Sequence, residues 1–261
     1  MYTLEFFNEA KTITLDEKIV NEFIKLQNTF NKKMINRQKT LKKTNIVLDN
    51  FSIIKTLINK ITLETFDDNC EALIVQYNKF ENKQEISYKI IEILSANIFY
   101  SSLYASLYSK LIETDKCFQN VLDNYKNKTQ ARYRTVCYID SNINYDQFCK
   151  NNENNAKIKS MSSFFSYLLL NGNLTSDFII ENLEFLVNEI ENNRENEIIF
   201  ELIENINVII SVTYNVISKH SKWDNIVSSI ENMKNKTTSF KHLKNKCVFK
   251  CMDILDFVNK I

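Results

Sequence analysis

Residues 161–177 read Met-Ser-Ser-Phe-Phe-Ser-Tyr-Leu-Leu-Leu-Asn-Gly-Asn-Leu-Thr-Ser-Asp, and they hold both a helix end and a helix start. The apolar run stops at Asn171-Gly172-Asn173, where Gly supplies a backbone that can turn with positive φ. Thr175 followed by Asp177 then offers a side-chain acceptor and an acidic first turn, which opens another helix. Gly172 is the one Gly in 261 residues, and there is no Pro. Sandwiches, barrels, Rossmann folds and P-loop enzymes need Gly where the chain turns tightly or approaches a phosphate, so those classes are disfavoured. Asn, Ile, Lys, Tyr and Phe, whose codons are rich in A and T, are abundant, so part of this composition reflects the coding sequence. The period of the apolar residues must therefore decide the fold.

That period is helical. Thr14 to Glu17 reads as a capping box opening a helix with Leu15, Ile19, Phe23, Leu26 and Phe30 on one stripe, running to about Lys43. Helix-sized apolar blocks follow at 49–61, 63–78, 82–97, 99–114, 116–138, 155–171, 175–191, 195–219, 221–235 and 238–259. Ser221 to Asp224 reads as a second capping box. Ten blocks make five pairs of about 43 residues, within the 40–47 of HEAT or armadillo helix pairs. Periodicity fits an ordinary helical bundle as well as a solenoid. The Asn-rich segment 142–155 is expected to be a long solvated loop.

Four fragments carry a resemblance. Leu57-Ile58-Asn59-Lys60-Ile61-Thr62-Leu63-Glu64-Thr65-Phe66, Phe99 to Tyr108, Met161 to Thr175 and Met252-Asp253-Ile254-Leu255-Asp256-Phe257 resemble, in order and spacing, the HEAT-repeat middle domain of eukaryotic translation initiation factor 4G. Leu63 stands where that family has Pro, and Ser166 or a neighbour where it has Gly. The resemblance implies an all-α solenoid of about five antiparallel HEAT-like pairs over 49–261, preceded by a basic amphipathic helix and linker at 14–48 and a partner-binding segment at 1–13. The chain ends after one helical domain where many relatives continue, which implies a minimal scaffold.

The resemblance also implies partners. A DEAD-box helicase of the initiation factor 4A type would meet Ile58, Ile61 and Phe66 in the first pair, with Ile58 and Ile61 at i,i+3 on one face. Its second contact would fall on Lys246, Phe249 and Lys250. Plain core packing explains Ile58, Ile61 and Phe66 as well. RNA would be held by Lys32, Lys33, Arg37, Lys39, Lys42 and Lys43, a cationic cluster without an acidic residue between Glu22 and Asp49; a solvated helix face is the alternative. Relatives recruit a cap-binding protein through a Tyr followed at a fixed distance by apolar residues, and Tyr2, Phe6 and Phe7 offer that spacing, although Asn8 breaks the final position. An RNA-decay adaptor or a helicase inhibitor could use the same module.

Chemistry is sparse. The net charge of +1 gives no global argument for nucleic acid or membrane. His242, Cys247 and Cys251 could share a face, but a zinc site needs about four ligands and no second cluster is near. Glu201 with Glu204 reads as a solvated face before it reads as a general acid and base. No cofactor, no metal and no enzymatic activity are expected. The six Cys show no C-x-x-C spacing and the N-terminus has no basic region followed by an apolar run, so a reduced cytoplasmic protein without a membrane span is expected.

Overall fold

The break at Asn171-Gly172-Asn173 ends its helix by a specific set of bonds. Gly172 takes φ of 80°, the Gly172 N–H donates to the Leu169 carbonyl at 3.0 Å, and the Asn173 N–H donates to the Leu168 carbonyl at 2.9 Å. These are the two bonds of a Schellman end. Thr175 Oγ1 then accepts from the Phe178 N–H at 3.4 Å and starts the next helix.

The protein is described by a computed structural model over residues 50–260. Among these the fold is all-α, without strands. The helices are α1 Asn50–Asn59, α2 Phe66–Tyr77, α3 Lys83–Leu94, α4 Ser101–Thr114, α5 Lys116–Lys126, α6 Thr129–Tyr133, α7 Tyr145–Leu170, α8 Ser176–Asn192, α9 Asn196–Ile217, α10 Trp223–Lys234 and α11 Asn245–Lys260. Short 3-10 turns at Ile98–Tyr100 and Thr238–Phe240 precede α4 and α11. The capping box at Thr14, the basic helix expected over 14–48 and the segment 1–13 lie outside the described residues.

Three local expectations are corrected. All of the Asn-rich segment but residues 142–144 lies in the first half of α7, the longest helix described, and the loop lies before that helix, at 134–144. Its amides fasten that loop to the helix instead of dissolving it. Asn144 Oδ1 caps α7 by accepting from the Gln147 N–H at 3.0 Å. Asn155 accepts from the Cys137 N–H at 3.3 Å and donates to the Cys137 carbonyl at 3.0 Å, and Asn154 donates to the Thr135 carbonyl at 3.1 Å. The single block expected over 116–138 is broken into α5 and α6, with a turn between them. Nor does Ser221 cap α10. Its N-cap position is Lys222 and has no side-chain cap, while His220 Nδ1 accepts from the Lys222 N–H at 3.2 Å.

Packing follows chain order. α2, α4, α7, α9 and α11 each pack on the next of that series, and α8 packs on α6, α9 and α10. Bonded pairs give the direction of the first series. Lys110 holds Asp67 at 2.6 Å and Tyr77 donates to Asp115 at 3.3 Å, so α2 and α4 run the same way. Lys159 meets Glu201 at 3.4 Å and Ser162 donates to Asn205 at 2.7 Å, which makes α7 and α9 parallel. Lys250 with Glu204 at 2.8 Å and Tyr214 with the Val258 carbonyl at 3.4 Å do the same for α9 and α11.

Four buried tyrosines stitch this interior. Tyr77 bonds to Ser87 Oγ at 3.0 Å, Tyr108 donates to the Phe118 carbonyl at 2.9 Å, Tyr125 bonds to Ser95 at 2.9 Å and Tyr133 bonds to Ser162 at 2.9 Å. A buried hydroxyl needs such a partner. Burial disfavours the phenolate and pushes all four groups up, Tyr133 to about 12. No single helix among the described residues is long and apolar enough to cross a membrane. α3 and the segment Ile98–Thr114 jointly have the length and composition, but they are bent by 98° at their break, and Ile90, Leu94, Leu107 and Leu111 are in the core.

Candidate interaction surface

Ala96, just before α4, lines one cleft with Asn154 and Ile158, and Ser109 donates to Asn173 Oδ1 past the end of α7, so α4 and α7 run the same way as α2 and α4 do, and a loop leads into the N-terminal end of each of the three. Each loop is braced by its own polar side chains, and each holds a large apolar residue outward. Before α2, the Thr62 N–H donates to Thr65 Oγ1 at 3.0 Å, the Thr65 N–H donates to Thr62 Oγ1 at 3.2 Å, and the Thr65 hydroxyl donates to the Lys60 carbonyl at 2.9 Å. This reciprocal brace leaves Leu63 86% exposed. Before α4, Asn97 Oδ1 accepts from the Phe99 N–H at 3.1 Å and the Ser101 hydroxyl donates to the Asn97 carbonyl at 3.1 Å. Phe99 is 92% exposed at the tip of that turn. Before α7, Asp140 Oδ1 accepts from the Asn142 N–H at 2.7 Å and the Ile143 N–H donates to the Asp140 carbonyl at 3.0 Å, so Ile143 is exposed beside the exposed Tyr145.

Single exposed apolar residues are ordinary on a protein surface. Here three stand on successive braced turns, each at a helix N-terminal end, and a rigid turn loses little conformational freedom on binding.

The residues singled out in the sequence fall elsewhere. Ile58 and Ile61 are in the core, a correction to their expected role as helicase contacts. The apolar stripe of α1 is consumed by packing against α2, and the exposed large apolar residues of this helix pair are Leu63 and Val75. Phe66, the first residue of α2, is half-buried with the Lys110 ammonium 5.0 Å from its ring centre. On α11, Phe249 is exposed, whereas Lys246 lies 3.8 Å over the Phe200 ring and Lys250 is spent on Glu204. The expected contact there thus reduces to Phe249 with the neighbouring exposed Met252. Tyr2, Phe6 and Phe7, and the cluster of Lys32, Lys33, Arg37, Lys39, Lys42 and Lys43, lie outside the described residues.

Leu63, Phe99 and Ile143 carried a usable signal. Leu63 and Phe99 are the first residues of the blocks read over 63–78 and 99–114, and Ile143 lies in the Asn-rich segment, so each stands at a block's edge or outside one.

Glu201 and Glu204 take their cations from flanking helices, Lys159 lying 3.4 and 3.3 Å from the pair. Burial alone would raise the Glu204 carboxyl, but the Lys250 hydrogen bond and the charges of Lys159 and Lys250 outweigh it and hold the group below the ordinary carboxylate value. Burial pushes the Cys247 thiol up, and that of Cys251 to about 12, which makes both poor nucleophiles. Cys247 Sγ instead sits 3.5 Å from the Asn196 carbonyl. No group of three or more His, Cys, Asp and Glu among the described residues is placed to hold a metal ion.

No family model matches this chain, and no curated protein matches it. The four sequence fragments therefore remain the ground for the resemblance.

Proposed function

We propose that the chain is a non-enzymatic scaffold, an α-solenoid of about five HEAT-like helix pairs, of the kind formed by the middle domain of initiation factor 4G. In this reading the pairs are α1 with α2, α3 with α4, the broken α5–α6 with α7, α8 with α9, and α10 with α11. The observation that carries it is the parallel, sequential packing of α2, α4, α7, α9 and α11, which is how a repeat array buries a continuous core through neighbours alone. The braced turns bearing Leu63, Phe99 and Ile143 then grip a DEAD-box helicase of the factor 4A type, with Phe249 near the far end as a second contact. RNA is met by the cationic cluster at 32–43 and a cap-binding protein by Tyr2, Phe6 and Phe7, in the cytoplasm.

The test is the RNA-dependent ATPase of such a helicase with and without the full chain. Stimulation that is lost on Leu63→Ser together with Phe99→Ser is the expected result. Binding with a lowered ATPase rate would identify an inhibitor instead, and selective binding of another DEAD-box protein an RNA-decay adaptor. Absence of binding to any such helicase would overturn the reading.

A further inference from the structure

The break between α7 and α8 carries chemistry of its own. Asn171-Gly172 is the single Asn-Gly pair of the chain. Such a pair can close on itself, because the Gly nitrogen has no Cβ beside it and reaches the Asn side-chain carbonyl to form a cyclic imide. Both residues are exposed, and a Cβ placed at Gly172 would meet nothing within 4 Å. Water therefore reaches the pair, and no neighbouring side chain crowds Gly172.

The folded backbone keeps the reacting atoms apart. Asn171 has φ −82° and ψ 0°. At that ψ the Gly172 nitrogen eclipses the Asn171 nitrogen, whereas ring closure needs it turned toward Asn171 Cβ. The nucleophile is the Gly172 nitrogen without its proton, and that proton is committed to the Leu169 carbonyl, 3.0 Å from the nitrogen. The side chain is held as well. Asn171 Nδ2 donates to Ser109 Oγ at 3.2 Å, and the Ser109 hydroxyl donates to Asn173 Oδ1 at 2.5 Å, which latches the turn to α4.

We propose that Asn171 is a site of spontaneous deamidation gated by this helix end, slow while the turn is closed and reactive when it opens. In the open turn hydroxide takes the Gly172 amide proton and the nitrogen attacks Asn171 Cγ. The new C–N bond displaces the side-chain nitrogen, which leaves as ammonia with a proton from water. Water then opens the imide: cleavage at Cγ leaves an aspartate at that position, and cleavage at the backbone carbonyl leaves an isoaspartate, whose main chain runs through the former side chain. Both products lose the amide that donates to Ser109 and set a negative charge beside the last carbonyls of α7, the negative end of the helix. The isoaspartate also lengthens the chain just before the N–H groups that cap the Leu168 and Leu169 carbonyls. Each reaction therefore weakens the closure that had prevented it.

The test incubates the full chain in mildly alkaline buffer, folded and in guanidinium chloride, and locates amide-to-acid conversion by digestion and fragment mass spectrometry. The denatured chain should convert at Asn171 to a mixture of aspartate and isoaspartate. The folded chain should convert there at least about tenfold more slowly, since the fraction of time the turn is open sets the rate. Ser109→Ala removes the latch and should speed the folded reaction at least about threefold while leaving the denatured rate unchanged. Asn171→Asp, which stands for one product, should lower the melting temperature. No conversion at Asn171 in the denatured chain would overturn the site, and a folded rate equal to the denatured one would overturn the gate. An unaltered folded rate in Ser109→Ala would overturn the latch, and an unaltered melting temperature in Asn171→Asp would overturn the weakened closure.

Discussion

Ser162 on α7 donates a 2.7 Å hydrogen bond to Asn205 Oδ1 on α9 while bonding to the Tyr133 hydroxyl at 2.9 Å, and all three residues are buried. The relay closes locally, since Asn205 Nδ2 donates to the Glu201 carbonyl at 2.8 Å. Ser162→Ala removes only one oxygen, yet it strands the Tyr133 hydroxyl and Asn205 Oδ1 together. Each stranded buried group costs about 1–3 kcal/mol, so the variant should lose about 2–6 kcal/mol in urea denaturation. A loss below about 0.5 kcal/mol would show that water replaces the hydroxyl there.

The exposed and buried apolar residues from α1 to the start of α4 should behave oppositely. Ile58→Ala and Ile61→Ala should each cost about 2–5 kcal/mol of stability, as expected for truncating a buried Ile. Leu63→Ser and Phe99→Ser should stay within about 0.5 kcal/mol of the parent. Thermal unfolding of the four variants checks this directly, and a large loss in either loop variant would place that residue in packing that its exposure denies.

Acid should weaken the contact between α9 and α11. The Glu204 carboxyl lies below its ordinary value of 4.5 in the folded protein, so the unfolded chain binds the proton first as pH falls. Its stabilising contribution is complete above the ordinary value and is lost as pH drops through the lower folded value. Lys250→Met removes the hydrogen bond that most favours the carboxylate and should flatten the dependence of stability on pH below about 4.5. Denaturation curves for parent and variant at pH 7 and in that acid range would reveal it, and parallel pH profiles would refute it.

Gly172→Ala probes the helix end alone. A Cβ added at Gly172 meets nothing within 4 Å, so crowding is absent and only the left-handed backbone at φ 80° is penalised. The cost should be about 1–2 kcal/mol, and smaller for Gly172→Asn. A much larger loss would mean that the break between α7 and α8 is coupled to the core.

Helix ends written in backbone chemistry are legible in the order of residues: Gly172 and Thr175 make the bonds that their residue types demand. The all-α class is equally legible, because an apolar stripe every three to four residues leaves no other way to bury it. Asn142 to Asn155 is not, since an amide in a solvated loop and an amide that clamps a neighbouring loop are the same letter. Only the position of Cys137, eighteen residues before Asn155, separates the two. Ile58 and Ile61 show the converse difficulty. Apolar spacing on a helix identifies a buried face without saying whether a neighbouring helix or a partner protein covers it. Leu63 and Phe99 acquire their meaning from the parallel course of α2, α4 and α7, a relation between segments that no window of sequence contains.

The tyrosine hydroxyls that stitch the interior also give the protein an optical record of its own integrity. A phenolate absorbs light differently from a phenol, and Tyr77, Tyr108, Tyr125 and Tyr133 all ionise above their ordinary value of 10 while folded. In the unfolded chain they ionise at that value, so their contribution to stability is intact below pH 10 and drains away as alkali is added. Shut off from hydroxide, the interior four stay dark until the helices part. An alkaline titration followed by absorbance should therefore show a late rise, and that rise should coincide with the loss of helical circular dichroism.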